Sequence, residues 1–323
     1  MRDKVHLKKI QLGKKPLLQY LPLFVFIVVV VILGFNVPRF LTLGNMINIM
    51  RQSTALGLMT IGVTVVMITG GIDLSIPSVM ALGGIVGSMY MRGGGNPVIG
   101  SVIMVIICAS LGAINGYAVA YLKMVPFVVT LSMMYIVTGI SVWLTRDVSV
   151  AGLPESFLDG VMRSIAGFPL IVIVLLAIAV FVYIMMRKSI YGRWLYAVGS
   201  NAEVASWFGL PHIQITFRSY IFSGFFAGLA AIVTTARLAS ASATMGSEGI
   251  VLNVIGAAVV GGVSIYGAAG NVLGAVAGAF FITMIGNIMN MMRISYYMTL
   301  FFTGVVIVAV IAFDTWRKNK GRS

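Results

Sequence analysis

Apolar residues in this chain come in long blocks that short polar segments separate. Ten blocks can be counted, at roughly residues 17–35, 55–70, 76–91, 98–122, 126–144, 168–186, 217–236, 250–262, 272–291 and 295–313. Most of them approach the roughly 20 helical residues that cross the hydrocarbon core of a bilayer. The blocks lack the polar stripe that marks the amphipathic helices of a soluble protein. The pattern therefore predicts an all-α, polytopic membrane protein with about ten transmembrane helices.

The composition agrees with a membrane protein. Of the 323 residues, 59% are hydrophobic and 9% are charged, whereas soluble domains carry about 25% charged residues. The net charge of +14 raises nucleic-acid binding as a possible function. The basic residues, however, lie mainly in the segments between apolar blocks, where the positive-inside rule explains them better. We therefore expect a lipid bilayer, and no nucleic acid, among the partners.

The basic residues also predict the orientation of the chain. With the N-terminus inside, 15 of the 22 Lys and Arg residues fall in cytoplasmic segments, which places both termini in the cytoplasm. The predicted organisation is a basic cytoplasmic tail at 1–16, a transmembrane domain at 17–313 with a cytoplasmic loop at 187–216, and a second tail at 314–323. The block 17–35 resembles a signal peptide, but it is too long and no cleavage site follows it, so we interpret it as a retained helix.

The chain offers no set of residues for catalysis or metal binding. It has one cysteine, Cys108, and two histidines, His6 and His212, which are far apart in sequence. One cysteine cannot form an internal disulfide, and these histidines do not build a metal site or a nucleophile–base–acid set. The sequence also lacks a Gly-rich loop ending in Gly-Lys-Ser or Gly-Lys-Thr, the Walker A motif for ATP. We therefore predict a protein that is not an enzyme and holds no metal or cofactor of its own.

Two glycine pairs interrupt short apolar blocks in the two halves of the chain. Segment 70–78 reads Gly-Gly-Ile-Asp-Leu-Ser-Ile-Pro-Ser, and segment 261–267 reads Gly-Gly-Val-Ser-Ile-Tyr-Gly. Both therefore run glycine, glycine, apolar, polar, apolar. Broken segments in matching positions of two halves point to a transport pathway. Two tight turns between helices explain the same residues, so both interpretations stay open.

Asp73 is the one acidic residue that apolar sequence encloses. A carboxylate at membrane depth needs a cavity, a partner or a helix end. Because an apolar block follows it, Asp73 is a candidate helix N-cap, and direct contact with a solute or a gate is its alternative role. Other polar residues within the blocks could line a pathway, or could form ordinary interhelical hydrogen bonds. The candidates for a pathway or gate are Asp73, Ser75, Asn115, Asn253 and Ser264.

The long cytoplasmic loop predicts a short helix of its own. Asn201 is a good N-cap, Gly209 is a good residue to follow the helix end, and Pro211 prevents continuation. The helix would carry a large apolar surface for a cytoplasmic loop, made of Val204, Trp207 and Phe208. Its composition fits a helix on the membrane surface and a helix that docks into another protein equally well.

Two arginines of the second half are candidates for contacts outside the cell. Arg237 and Arg293 fall at the outer ends of predicted helices. They could meet acidic patches on a soluble partner, and the alternative is ordinary anchoring at the membrane interface.

Three segments resemble a known family. They are GGIDLSIPS at 70–78, YGRWLYAVGSNAEVASWFGL at 191–210, and AAVVGGVSIYGAAGNVLGAVAG at 257–278. They look like the permease subunits of monosaccharide importers of the ATP-binding-cassette (ABC) type, the ribose, xylose, arabinose and galactose group, with autoinducer-2 permeases as close relatives. The similarity runs from about residue 40 to residue 313. Relatives often carry two alanines and a small residue where this loop has Val204, Ala205 and Phe208, which suggests a particular partner.

The resemblance implies a multi-pass protein of the bacterial plasma membrane that imports a monosaccharide. It implies a second permease copy or paralogue, cytoplasmic ATPase subunits that hold ATP and Mg, and an extracytoplasmic solute-binding protein, for which Arg237 and Arg293 are the docking candidates. The short helix would then couple the permease to the ATPase through Gly199, Asn201, Val204, Ala205, Trp207, Phe208 and Gly209. A stand-alone secondary transporter or channel is the alternative, but it leaves the apolar cytoplasmic helix unexplained.

Overall fold

The described part of the chain is mainly helical. The computed structural model describes residues 34–35, 37–295, 297–305, 308–309 and 312. The helices are α1 (Leu43–Ile68), α2 (Ile76–Arg92), α3 (Pro97–Ala120), α4 (Pro126–Thr145), α5 (Glu155–Met162), α6 (Leu170–Lys188), α7 (Ile190–Ser200), α8 (Ala202–Trp207), α9 (His212–Leu238), α10 (Glu248–Val260) and α11 (Val272–Met291), with a 3₁₀ turn at Ala243–Gly246. Within the described residues, seven helical stretches are long and apolar enough to cross a membrane.

The apolar blocks correspond well to these helices. Each of the eight blocks from 55–70 to 272–291 lies on a helix, so the prediction of an all-α polytopic membrane protein is confirmed. The block 17–35 lies almost wholly outside the described residues, as do the tails at 1–16 and 314–323. Residues 297–305 of the last block are helical. The count of ten helices and the cytoplasmic position of both termini stay predictions.

Helix α1 begins well before its apolar block. The block starts at residue 55, whereas the helix starts at Leu43, after the N-cap Thr42. The first turns carry polar residues, of which Asn45 and Arg51 bond to other elements of the fold. Asn45, for example, exchanges two hydrogen bonds with Asn287 of α11, at 3.0 and 3.1 Å. Hydrophobicity alone therefore misses this part of the helix.

The core is built around α2, most of whose residues are buried. Glycines let the neighbouring helices approach closely. A Cβ added to Gly112 of α3 would lie 2.4 Å from the carbonyl oxygen of Tyr220 on α9. A Cβ added to Gly278 of α11 would lie 2.1 Å from the carbonyl oxygen of Ala257 on α10. Both pairs of helices therefore pack backbone against backbone.

The bundle has two distinct ends. Four two-residue strands, which the sequence does not predict, are β1 (Val150–Ala151), β2 (Ser164–Ile165), β3 (Phe168–Pro169) and β4 (Ser240–Ala241). They pair antiparallel, β1 with β4 and β2 with β3. We call the end with β1 and β4 the strand end. The opposite end, where α1 and α10 terminate beside α7, we call the α7 end.

Candidate functional site

The two glycine breaks share one backbone geometry. Gly70 has a φ of +84° and Gly262 a φ of +88°. In both, the glycine amide bonds the carbonyl three residues back, and the next amide bonds the carbonyl five residues back. This is the Schellman ending of a helix, which favours glycine at the positive-φ position. The structure therefore matches Gly70 with Gly262.

This match differs by one residue from the sequence alignment of the breaks. The alignment places Gly70 opposite Gly261, because each is the first glycine of a pair. Gly261 has an ordinary negative φ of −71°. A Cβ there would lie 2.2 Å from the carbonyl oxygen of Gly274. Gly261 is therefore required for close packing of α10 on α11, whereas Gly262 makes the turn.

Asp73 is the centre of a buried hydrogen-bond network at the first break. Its side chain is 2% exposed. Its Oδ1 accepts from the amide of Ser75 at 3.0 Å and from the hydroxyl of Ser75 at 2.7 Å. Its Oδ2 accepts from the hydroxyl of Ser223 on α9 at 2.6 Å. The Ser75 hydroxyl also accepts from Nδ2 of Asn115 on α3, at 2.8 Å. The network ties the entry of α2 to both α3 and α9.

The N-cap position of α2 is Ser75, not Asp73. Asp73 stands two residues earlier and organises the turn into the helix by accepting from Ser75. Pro77 occupies the second helical position and has no amide hydrogen, which removes one of the donors that a cap would satisfy. Asp73 thus has a local structural role at the helix start, although from a different position than a cap.

The five pathway candidates fall into three places. Asp73, Ser75 and Asn115 meet in the network just described, which is sealed from solvent. The Oδ1 atom of Asn115 is buried without a hydrogen-bond partner. Ser264 lies in the second break and is 7% exposed. Asn253 lies on α10 and lines a cavity near the strand end.

The short helix in the loop forms as its start and stop residues predict. Oδ1 of Asn201 accepts from the amides of Glu203 and Val204, both at 3.0 Å, so Asn201 is the N-cap of α8. Gly209 has a φ of +74° and follows the helix end. Two large aromatic side chains of this segment project into open space, Trp207 at 74% and Phe208 at 81% exposed.

The rest of the predicted coupling surface is less exposed. Val204 is half-buried. Ala205 is 4% exposed and belongs to the hydrophobic core. The exposed apolar surface of α8 and its C-cap residue is therefore smaller than the sequence suggests and consists mainly of Trp207 and Phe208.

Helix α7 connects α8 to both glycine breaks. Gly199 packs on the end of α1, since a Cβ there would lie 1.8 Å from the carbonyl oxygen of Ile68. The same carbonyl accepts from the amide of Ala268 in the second break, at 3.0 Å. The hydroxyl of Tyr196 donates to the carbonyl of Gly270 at 2.8 Å. Burial raises the pKa of the Tyr196 phenol, so this hydroxyl keeps its proton and remains a donor at neutral pH.

The strand end contains a cavity with a mixed polar and apolar lining, which the sequence did not indicate. Its volume is about 340 Å³. Arg237, at the end of α9, contributes to its wall, whereas Arg293 is exposed at the end of α11. The polar residues that line it are Gln52, Thr234, Arg237, Ser242, Thr244, Asn253 and Thr283. On α1 the lining positions are 52, 55, 56 and 59, and this helical spacing was the one sequence feature that could have revealed the wall.

Comparison with known proteins identifies the family. Residues 45–311 match the family described as the permease component of the branched-chain amino acid transport system. The chain belongs to this permease family. It is thus a membrane subunit of a transport system and not an enzyme.

Individual relatives match over nearly their whole length. A probable ABC transporter permease of Sinorhizobium fredii is 33% identical over 91% of this chain and 88% of its own. The D-allose transport system permease protein of Escherichia coli is 33% identical over 92% of this chain and 91% of its own. The ribose import permease protein of Bacillus subtilis is 32% identical over 91% of both chains. No solved structure matches the chain significantly.

Proposed function

We propose that this chain is the membrane-spanning subunit of an ABC importer that moves a monosaccharide into a bacterial cell. The observation that carries the proposal is the α7–α8 unit, which presents two exposed aromatic side chains and touches both glycine breaks. The family membership and the sugar-importing relatives support the same conclusion.

The solute is a sugar in this proposal, although the family description refers to branched-chain amino acids. The relatives with named solutes carry D-allose, ribose and L-arabinose in their names. They cover about nine-tenths of the chain, including both breaks and the α7–α8 unit. A transport assay should therefore offer pentoses, hexoses and branched-chain amino acids side by side.

The partners follow from the two ends of the bundle. The basic loop at 187–216 favours a cytoplasmic position for the α7 end, where separate ATPase subunits would hold the ATP and Mg. The strand end then faces a solute-binding protein in the extracytoplasmic space. Arg293 is exposed there and can dock an acidic patch, whereas Arg237 lies in the cavity wall and is less available. A second permease copy or a paralogue completes the pathway.

The contacts of α7 suggest how ATP-driven movement reaches the pathway. The aromatic pair Trp207 and Phe208 would anchor α8 in the ATPase, since buried aromatic residues dominate binding at interfaces. Displacement of α8 would move α7, because Asn201 is both the C-cap of α7 and the N-cap of α8. Gly199 and Tyr196 then transmit the displacement to the ends of α1 and α10. Both halves of the chain would respond together.

Reconstitution tests the proposal directly. The permease should be purified with its candidate ATPase, incorporated into liposomes and supplied with ATP, the binding protein and a panel of solutes. Uptake of a monosaccharide that requires ATP and the ATPase is the expected result. Uptake by the permease alone, driven by a solute or ion gradient, would instead indicate a stand-alone secondary transporter or channel.

A further inference from the structure

The cavity at the strand end contains a positive charge that no described residue neutralises. Nε of Arg237 is buried without a hydrogen-bond partner. The side chain bonds to no described residue, and the residues lining the cavity include no Asp or Glu. Arg237 lies half-buried in the last turn of α9, so its guanidinium keeps donors that a ligand in the cavity could use.

Two neighbours in the wall also have unused hydrogen-bonding groups. The amides of Gln52, which is exposed, and of Asn253, which is half-buried, line the cavity, and neither bonds to another described side chain or backbone group. By contrast, the Thr283 hydroxyl donates to the carbonyl of Ala279 at 2.9 Å. Arg237, Gln52 and Asn253 therefore face the cavity with donors and acceptors available for a ligand.

The size and charge of the cavity restrict the ligand. About 340 Å³ falls within the roughly 300–1,000 Å³ of small-molecule sites. A guanidinium and two amides suit a solute with many oxygen atoms. An amino acid also carries an ammonium group, and the wall offers it no carboxylate. The lining therefore favours a polyhydroxylated solute over an amino acid.

We propose that Arg237, Gln52 and Asn253 form a solute-binding site on the import pathway. Arg237 donates hydrogen bonds to hydroxyl or carboxylate oxygens of a small polyhydroxylated solute. This inference rests on the proposed function and identifies the residues that hold its substrate. Gln52 lies on α1 and Asn253 on α10, the two helices that end at the glycine breaks. Movement of the breaks would therefore change the shape of the site and release the solute.

The first test compares two arginines in similar positions. Arg92 and Arg237 both lie in the last turn of a helix, but Arg92 is exposed and does not line the cavity. Arg237→Gln should lower uptake about tenfold or more, the loss expected for one charge-assisted hydrogen bond. Arg92→Gln should leave uptake near the wild-type value. Co-purification with the ATPase should persist in both, because neither residue lies on α8.

The second test detects the solute at the site. In a Cys108→Ser background, an Asn253→Cys thiol should react with a membrane-impermeant reagent, and the transported solute should slow the reaction. Arg237→Gln should abolish this protection, while Arg237→Lys should restore part of it. A panel of neutral sugars, sugar acids and branched-chain amino acids shows which oxygen groups protect.

The outcomes separate the two proposals. The site assignment is wrong if wild-type uptake is normal, the Arg237→Gln and Arg92→Gln variants take up solute equally fast, and no solute protects the Asn253→Cys thiol. The importer proposal would still stand in that case. If amino acids protect and sugars do not, the assigned ligand class is wrong. If the wild-type complex takes up no solute, both proposals fail.

Discussion

Gly199 lies against the carbonyl oxygen of Ile68 so closely that no side chain fits between them. A Cβ at Gly199 would lie 1.8 Å from that oxygen. The carbonyl oxygen of Gly199 would in turn lie 2.7 Å from a Cβ added to Gly267. Gly199 of α7 therefore packs closely against both the end of α1 and the second break. In the proposed importer, this contact transmits movement from the cytoplasmic partner to both halves of the permease.

We expect Gly199→Ala to uncouple ATP hydrolysis from uptake. The added methyl group must push α7 away from α1, because the three atoms nearest to it all belong to backbone. Reconstituted complexes should retain ATPase activity and lose most uptake. Gly139→Ala is the matched control, since Gly139 lies on α4 with no atom within 4 Å of an added Cβ. Equal uptake by the two variants would contradict the role of this contact.

The fold was largely readable from hydrophobic blocks because lipid requires long apolar helices. The start of α1 could not be predicted in this way, because it carries polar residues. Asn45 bonds to Asn287 on another helix, and Gln52 lines a cavity. The capping residues Asn201 and Gly209 were predictable because their roles depend on adjacent backbone. These local features do not require knowledge of the rest of the fold.

The candidate site was only partly predictable. Asp73 stood out because it is an isolated carboxylate, but its partner Ser223 lies 150 residues away in sequence. The inward orientation of Ala205 depends on packing in the fold, which a two-turn helix does not encode by itself. Arg237 was assigned to the outer surface because it ends a helix, and only the tertiary structure places it in a cavity wall.

Asp73→Asn should be much less harmful than Asp73→Ala. The asparagine keeps an oxygen to accept from Ser75, and its amide can donate to the Ser223 hydroxyl, which also accepts hydrogen bonds. The alanine leaves several buried donors unpaired, at about 1–3 kcal/mol for each. Thermal unfolding in detergent and uptake in liposomes should both follow the order wild type, Asn, Ala. If the Asp73→Asn variant is as stable as wild type but as inactive as the Asp73→Ala variant, the negative charge itself is required.

Replacing Trp207 and Phe208 together by Asp should prevent binding of the ATPase. Both side chains are largely exposed, so the permease should still fold and insert. Trp143→Ala is a suitable control, because Trp143 is also largely exposed, at 77%. It lies in the last turn of α4, at the strand end of the bundle, far from α8 in the sequence. Co-purification should fail for the double variant and succeed for the control. Normal assembly of the double variant would indicate that α8 only lies on the membrane surface.

The orientation can be tested with single cysteines in a Cys108→Ser background. Glu155 on α5 and Ser200 at the end of α7 are both exposed. An impermeant thiol reagent should label Glu155→Cys in intact cells and Ser200→Cys only after the membrane is opened. We choose Ser200 rather than Asn201 because the Asn201 side chain caps α8. Labelling of both positions from the same side would contradict the predicted orientation.

The position of Ala205 gives a sharper test of how α8 meets its partner. The family resemblance includes Ala205 among the coupling residues, but this side chain is 4% exposed and packs into the core. Glu203 is exposed on the same helix. Glu203→Cys should therefore crosslink to the ATPase subunit with a short bifunctional thiol reagent, whereas Ala205→Cys should react slowly or not at all. Because the two positions differ by only two residues, the comparison depends on the orientation of α8 and not on its location. Efficient crosslinking from Ala205 but not Glu203 would mean that α8 rotates away from the core when the ATPase binds.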